Sequence, residues 1–177
     1  MEKIVEQIRE TLYRAGLLPL RSQAQVAERL LTYRLEVLLP KLMEETGIDL
    51  WLVPGYETNE DPVMWTMMTS NMCTARRLSA LLHYRDPATG RMEHLVWGIG
   101  FGRMLEHYTS IKQGDETLCE GLTRELERLN PQKIGINISS ELGGFCGGLS
   151  ASLYHDLTTQ LPETYRQRLC PAGRLAT

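Results

Sequence analysis

The chain lacks any apolar stretch long enough to cross a bilayer. Its longest runs, residues 17–20 and 48–53, fall far short of the roughly 20 residues a membrane helix needs. It also lacks a basic excess. Nineteen Lys and Arg stand against 22 Asp and Glu, a net charge of −3. That leaves no positive field to attract nucleic acid or an anionic membrane, so neither is expected as a partner. The opening residues, MEKIVEQIRE, are charged and amphipathic with no apolar core, which excludes a secretory signal there and predicts a cytoplasmic protein. Cysteine is sparse. Cys73, Cys119, Cys146 and Cys170 lie far apart, with no CxxC and no Cys/His pairing at zinc spacing. They read as free thiols of a reducing compartment. The four histidines, His83, His94, His107 and His155, are isolated, and no HxH or HExxH is present. Asn137-Ile138-Ser139 fits a glycosylation acceptor, but in a strand of a cytosolic chain it reads as chance.

What is present suits a single domain of 177 residues with a full core. There is no internal repeat, low-complexity tract or Pro/Gly/Ser linker. Ile48, Leu50, Leu52 and Val53 predict a buried strand, and the loop behind it, GYETNEDP, is rich in carboxylates. Such a loop at the carboxyl end of a strand is where open α/β sheets place ligands. Upstream, apolar spacing predicts a helix over residues 2–15 stopped by Gly16. A second is predicted from Gln23 towards Thr46, with Ser22 as N-cap, Pro40 kinking or dividing it and Gly47 as the stop. Asp61-Pro62 predicts a further helix start. Downstream, residues 77–84 and 92–97 read as a hairpin around the turn DPATG. Residues 116–129 and 149–161 read as helices, 133–138 as a strand and 165–170 as a short last strand. Together these predict an α/β fold: a mixed β-sheet of about five or six strands with helices on both faces.

Three segments carry a resemblance. RLEVLLPKLMEETGIDLWLVPGYETNEDPV spans Arg34 to Val63, ARRLSALLHYRD spans Ala75 to Asp86, and KIGINISSELGGFCGGLS spans Lys133 to Ser150. In order and spacing they resemble the N-terminal domain of the creatinase/prolidase/Xaa-Pro aminopeptidase family, the pita-bread metallopeptidases. The likeness covers roughly Tyr33 to Leu175. It implies a non-catalytic domain that pairs subunits and shapes substrate access. It further implies that two divalent metal ions belong to a C-terminal catalytic domain, expected beyond residue 177, and that this chain itself holds no cofactor. The implied partners are that catalytic domain, a second subunit and, in the full enzyme, a short peptide. The resemblance makes Tyr56, Glu57, Asn59, Glu60 and Asp61, with Arg76 and Arg77, the candidate substrate-access or interface residues. The family's acidic residue before GLS is here Gly147, which leaves that side chain's role without a bearer.

Other motifs have rival readings. Gly144 to Gly148, with Cys146, fits G-x-C-x-G, a thiol form of the nucleophile elbow, with His155 and Asp156 downstream. A cysteine hydrolase on Cys146 is therefore one alternative, and a small-ligand-binding α/β module using the loops after Val53 and Ile138 is another. GIGFGR, from Gly98 to Arg103, lacks the spacing of a dinucleotide loop and the Lys-Ser/Thr of a P-loop, and reads as a bend. Met64, Trp65, Met67, Met68 and Met72 suit either core packing or a docking surface. Trp51 and Trp97 read as core. His83 and His94 are expected to face each other across the hairpin.

Overall fold

The computed structural model describes residues 2–72, 74–138 and 147–176. Helix α1 (Glu2–Arg14) leads through an elbow into α2 (Leu20–Tyr33). Helix α2 begins one turn earlier than expected: Pro19 occupies the N-cap, and Ser22 sits in the first turn with its N–H on the Pro19 carbonyl. A π-helical stretch, Arg34–Leu38, joins α2 to α3 (Leu39–Thr46). Here the helix divides just before Pro40, as a mid-helix proline predicts. In a regular α-helix its ring would press on the carbonyl four residues back. The backbone instead widens, Leu39 N–H reaching the Arg34 carbonyl five residues back, and Pro40 falls in the first turn of α3, where its missing N–H is not required. Gly47, at φ 63°, ends the helix in the left-handed conformation.

Strand β1 (Leu50–Tyr56) continues past Val53 through Pro54 and Gly55, longer than the apolar run suggests. The partner strand explains the extension: β2 (Leu78–Arg85) pairs antiparallel with it along its whole length, Pro54 opposite Ala80 and Tyr56 opposite Leu78. Helix α4 (Pro62–Met67) stands between β1 and β2, and β3 (Met92–Trp97) completes the predicted hairpin. The turn between them is tied by Asp86, whose carboxylate accepts from the N–H of Ala88 and the hydroxyl of Thr89. A short β4 (Thr109–Ser110), not expected from sequence, runs parallel to β3. Helix α5 (Leu118–Leu129) opens with a capping box between Thr117 and Glu120. Then come β5 (Ile134–Ile136), α6 (Ala151–Gln160), α7 (Glu163–Arg166) and β6 (Leu169–Pro171).

The sheet has six strands in the order β4-β3-β2-β1-β5-β6, and the fold is α/β with a mixed sheet. Only β2 opposes the others: β1, β5 and β6 are mutually parallel, as are β3 and β4. Both faces are covered. Trp51, Val53, Leu81 and Val96 point to one side, where Leu31, Leu35, Leu39 and Met43 of the long helical rod and Met64 of α4 close the core. Leu50, Leu52, Leu82, Leu95 and Trp97 point to the other, against Leu122 and Leu126 of α5 and Leu153 and Leu157 of α6. Successive strand residues alternate between faces, so a strand covered on both sides reads as a continuous apolar run. Trp51 and Trp97 are core, as their strand positions predict.

Candidate functional site

The loop behind β1 sits at the carboxyl edge of the parallel pair β1/β5, where the sheet direction reverses next door at β2. Asp61 is its anchor. Its side chain is fully buried, and Oδ1 accepts the N–H of Val63 at 2.9 Å, capping α4. Its other oxygen accepts from Asn137 Nδ2 at 2.7 Å, and Asn137 Oδ1 in turn accepts from Trp51 Nε1 at 2.8 Å. This chain of side chains spans from α4, through the end of β5, to the middle of β1. Burial raises the Asp61 carboxyl pKa, and the bonds from Asn137 and Val63 oppose that shift. Gly148 lies so close that a Cβ there would overlap the Asp61 carboxylate.

The other acidic residues also brace backbone. Glu60 Oε1 accepts the N–H of Ala75 at 2.9 Å, and Glu57 Oε2 accepts the N–H of Arg77 at 3.2 Å. Arg76 and Arg77 stand at φ 44° and 58°, the left-handed region that side chains other than glycine rarely adopt. The two carboxylates hold this strained corner from either side. Tyr56 and Asn59 bridge each other through their backbones in the tight turn between them. All seven candidates thus meet in one corner. Asp61, Glu57 and Glu60 spend carboxylate oxygens on the fold; Glu57, Asn59, Arg76 and Arg77 are exposed, Arg76 lying 6.0 Å from the Phe101 ring centre.

A cavity of about 230 Å³ opens beside this corner, between α3 and α4 and against Trp51. Its walls are apolar except for Thr66 and Arg34, whose guanidinium donates to the Thr66 carbonyl at 3.0 Å. On the same face of the sheet His83 and His94 oppose each other across the hairpin, as their positions predict, with Nδ1 to Nδ1 at 2.9 Å. Burial drives the pKa of His83 well below the usual imidazole range and that of His94 to about 4. Trp51 and Tyr108 pack around His83, and its Nε2 has no hydrogen-bond partner among the described residues.

Among the described residues no group of three or more His, Cys, Asp or Glu converges to hold a metal ion. Nor is any helix there long and apolar enough to cross a membrane. Cys146, and with it the G-x-C-x-G reading, lies outside the described residues, as does Cys73. Gly98 and Gly100 of GIGFGR serve close packing: a Cβ on Gly98, at φ 101°, would meet the Leu78 carbonyl at 2.8 Å. Met64, Met67 and Met68 are core, whereas Trp65 is 59% exposed. Sequence reading missed Asn137 and Gly148. A polar residue directly after the apolar Ile134–Ile136 and a glycine before the helix start at Ser150 were the available signals. Comparison with protein families, curated proteins and solved structures finds no match.

Proposed function

We propose that this chain is the non-catalytic N-terminal domain of an Xaa-Pro aminopeptidase-like metallopeptidase of the cytoplasm. It would pair subunits and shape the access of short peptides to a metal-bearing catalytic domain following in the same polypeptide. The observation that supports this most directly is the corner at the carboxyl edge of β1 and β5. There the three segments that resemble the family come together: β1 and its acidic loop, β2 with Arg76 and Arg77, and Asn137 behind β5. Its carboxylates, each bonded to backbone N–H, stiffen the rim, and its exposed Asn59, Arg76 and Arg77 are free to meet another domain or a peptide terminus. In this role the domain contributes binding energy and orientation, and the bond-breaking chemistry belongs to the two divalent ions expected in the catalytic domain.

The test is the reading frame beyond the Thr177 codon. A frame that continues for another domain, carries Asp, Asp, His, Glu and Glu at ligand spacing, and yields a protein cleaving Xaa-Pro peptides with added divalent metal is the expected result. A stop codon there, or a full product inert towards such peptides, overturns the proposal. A second reading, a small-ligand-binding module, draws support from the apolar cavity against Trp51. A thermal-shift screen in which an apolar metabolite raises Tm, and loses that effect in Arg34→Ala, would favour it.

A further inference from the structure

The cavity against Trp51 has one charged residue in its walls, and nothing in the fold answers that charge. One wall is the helical rod, with Arg34 and Leu38 from the π-helical stretch and Leu39 from α3; Val63 and Met67 of α4 form another. Trp51 is fully buried and its Nε1–H is spent on Asn137, so its ring offers the cavity apolar surface and no donor. Thr66 is satisfied within the fold. Its hydroxyl donates to the Val63 carbonyl at 2.8 Å, and its own carbonyl accepts from Arg34 at 3.0 Å. Arg34 differs. A guanidinium carries five N–H donors and keeps its charge at any ordinary pH. One Nη of Arg34 reaches a carbonyl, and among the described residues no carboxylate pairs with it. A partly buried cation beside apolar walls is costly to leave without a counter-charge.

We propose that this cavity binds a small carboxylic acid with an apolar body, the body lying against Trp51 and the carboxylate on Arg34. The inference rests on the ligand-binding reading, whose ligand class it names, and needs no peptidase. Volume limits the body. A dry cavity of ~150 Å³ lined by Leu, Ile and Phe holds benzene, so about 230 Å³ scales to roughly nine non-hydrogen atoms. That suits a medium-chain or phenyl-substituted acid and excludes a nucleotide. Charge selects the head group. The planar fork of arginine matches a carboxylate through two parallel hydrogen bonds. A phosphate monoester brings up to two charges and three acceptor oxygens, more than a single arginine among apolar walls can satisfy. An amine would set like charge against like. Met67 adds adaptability, because an unbranched thioether refits a wall to bodies of different shape.

An NMR titration of the 177-residue chain, read at the indole N–H of Trp51, is the test. The probes are octanoate and phenylpropionate, with octanol and octylamine as the uncharged and cationic counterparts. Both acids are expected to bind and shift that signal. Octanol should bind about 10-fold or more weakly, the worth of a charge-assisted hydrogen bond, and octylamine more weakly still. Arg34→Gln keeps a donor for the Thr66 carbonyl and removes the charge, so it should erase the preference for acid over alcohol. Arg34→Lys, a charge without the fork, should fall between. Far-UV circular dichroism reports whether the variants fold, and the comparison of acid with alcohol on the wild-type chain needs no variant. Equal binding of acid and alcohol, or acid binding untouched by Arg34→Gln, would overturn the carboxylate assignment and leave the ligand-binding reading standing. A Trp51 signal that no probe moves would also overturn it, and the thermal-shift screen then decides the broader reading separately.

Discussion

The buried histidine pair makes the stability of this fold depend on pH well above the carboxylate range. His83 and His94 touch through Nδ1 atoms at 2.9 Å. A neutral pair satisfies that contact, one ring donating and the other accepting, whereas two protonated rings would turn donors on each other. Unfolded, each imidazole takes up a proton near pH 6.5. Folded, His94 does so only near 4, because burial disfavours its charge, and His83 lies well below its ordinary value for the same reason. Below pH 6.5 the unfolded state therefore binds more protons than the folded one, and stability is lost as pH falls towards 4. For His94 the full linkage is about 3 kcal/mol, of which about 2 kcal/mol is expressed by pH 5. His83 adds a loss of the same sign, and the His94 contribution alone is a large share of the 5–15 kcal/mol typical of a domain. Between pH 6.5 and 5 ordinary carboxylates remain ionised in both states, so the slope there reports imidazoles. Urea unfolding at pH 7.5, 6 and 5, followed by fluorescence of Trp51 beside His83, measures it. His94→Gln should reduce the slope. A stability flat to within about 0.5 kcal/mol over this range, or the His83 and His94 imidazole NMR signals themselves titrating near 6.5, would refute the reasoning.

Other perturbations follow from the acidic corner. Asp61→Ala removes the cap of α4 and strands the amide of Asn137, and should destabilise by about 2–4 kcal/mol; a loss below about 1 kcal/mol in urea would contradict the buried chain. Gly148→Ala sets a Cβ against the same carboxylate and should cost about 1–3 kcal/mol, but much less in an Asp61→Ala background, a non-additivity that a double-mutant cycle reads directly. Glu57→Ala with Glu60→Ala should release the Ala75–Arg77 corner at about 1–2 kcal/mol. The Gln pair keeps an acceptor at each site and should be near neutral for folding. In a full-length enzyme an unchanged kcat/KM for that Gln pair would remove these two residues from substrate recognition.

The corner shows how a site can be read correctly in place and incompletely in role. The cluster of carboxylates behind a buried strand marked where to look. All three carboxylates, Glu57, Glu60 and Asp61, nevertheless serve the backbone, because a tight loop holding two residues at positive φ and a helix start have N–H groups that local structure leaves unpartnered. What stays exposed is Glu57 and Asn59 with the two arginines.

Much of the fold was legible in the sequence because its signals are local. The apolar run at Leu50–Val53, the turn residues between Arg85 and Met92 and the stop at Gly47 are each decided within a few residues by backbone sterics and neighbouring hydrogen bonds. The mixed sheet with helices on both faces followed from their order. Tertiary structure alone decided the rest. Antiparallel pairing with β2 carried β1 through Pro54 and Gly55, and a widened π-helical turn is the form the division before Pro40 took. Asn137, 76 residues from Asp61, became its partner only when β5 docked beside β1. The depression of the His83 and His94 pKa values likewise exists only once helices cover the face on which they meet. Burial and long-range pairing are properties of the assembled sheet, and no window of sequence contains both partners.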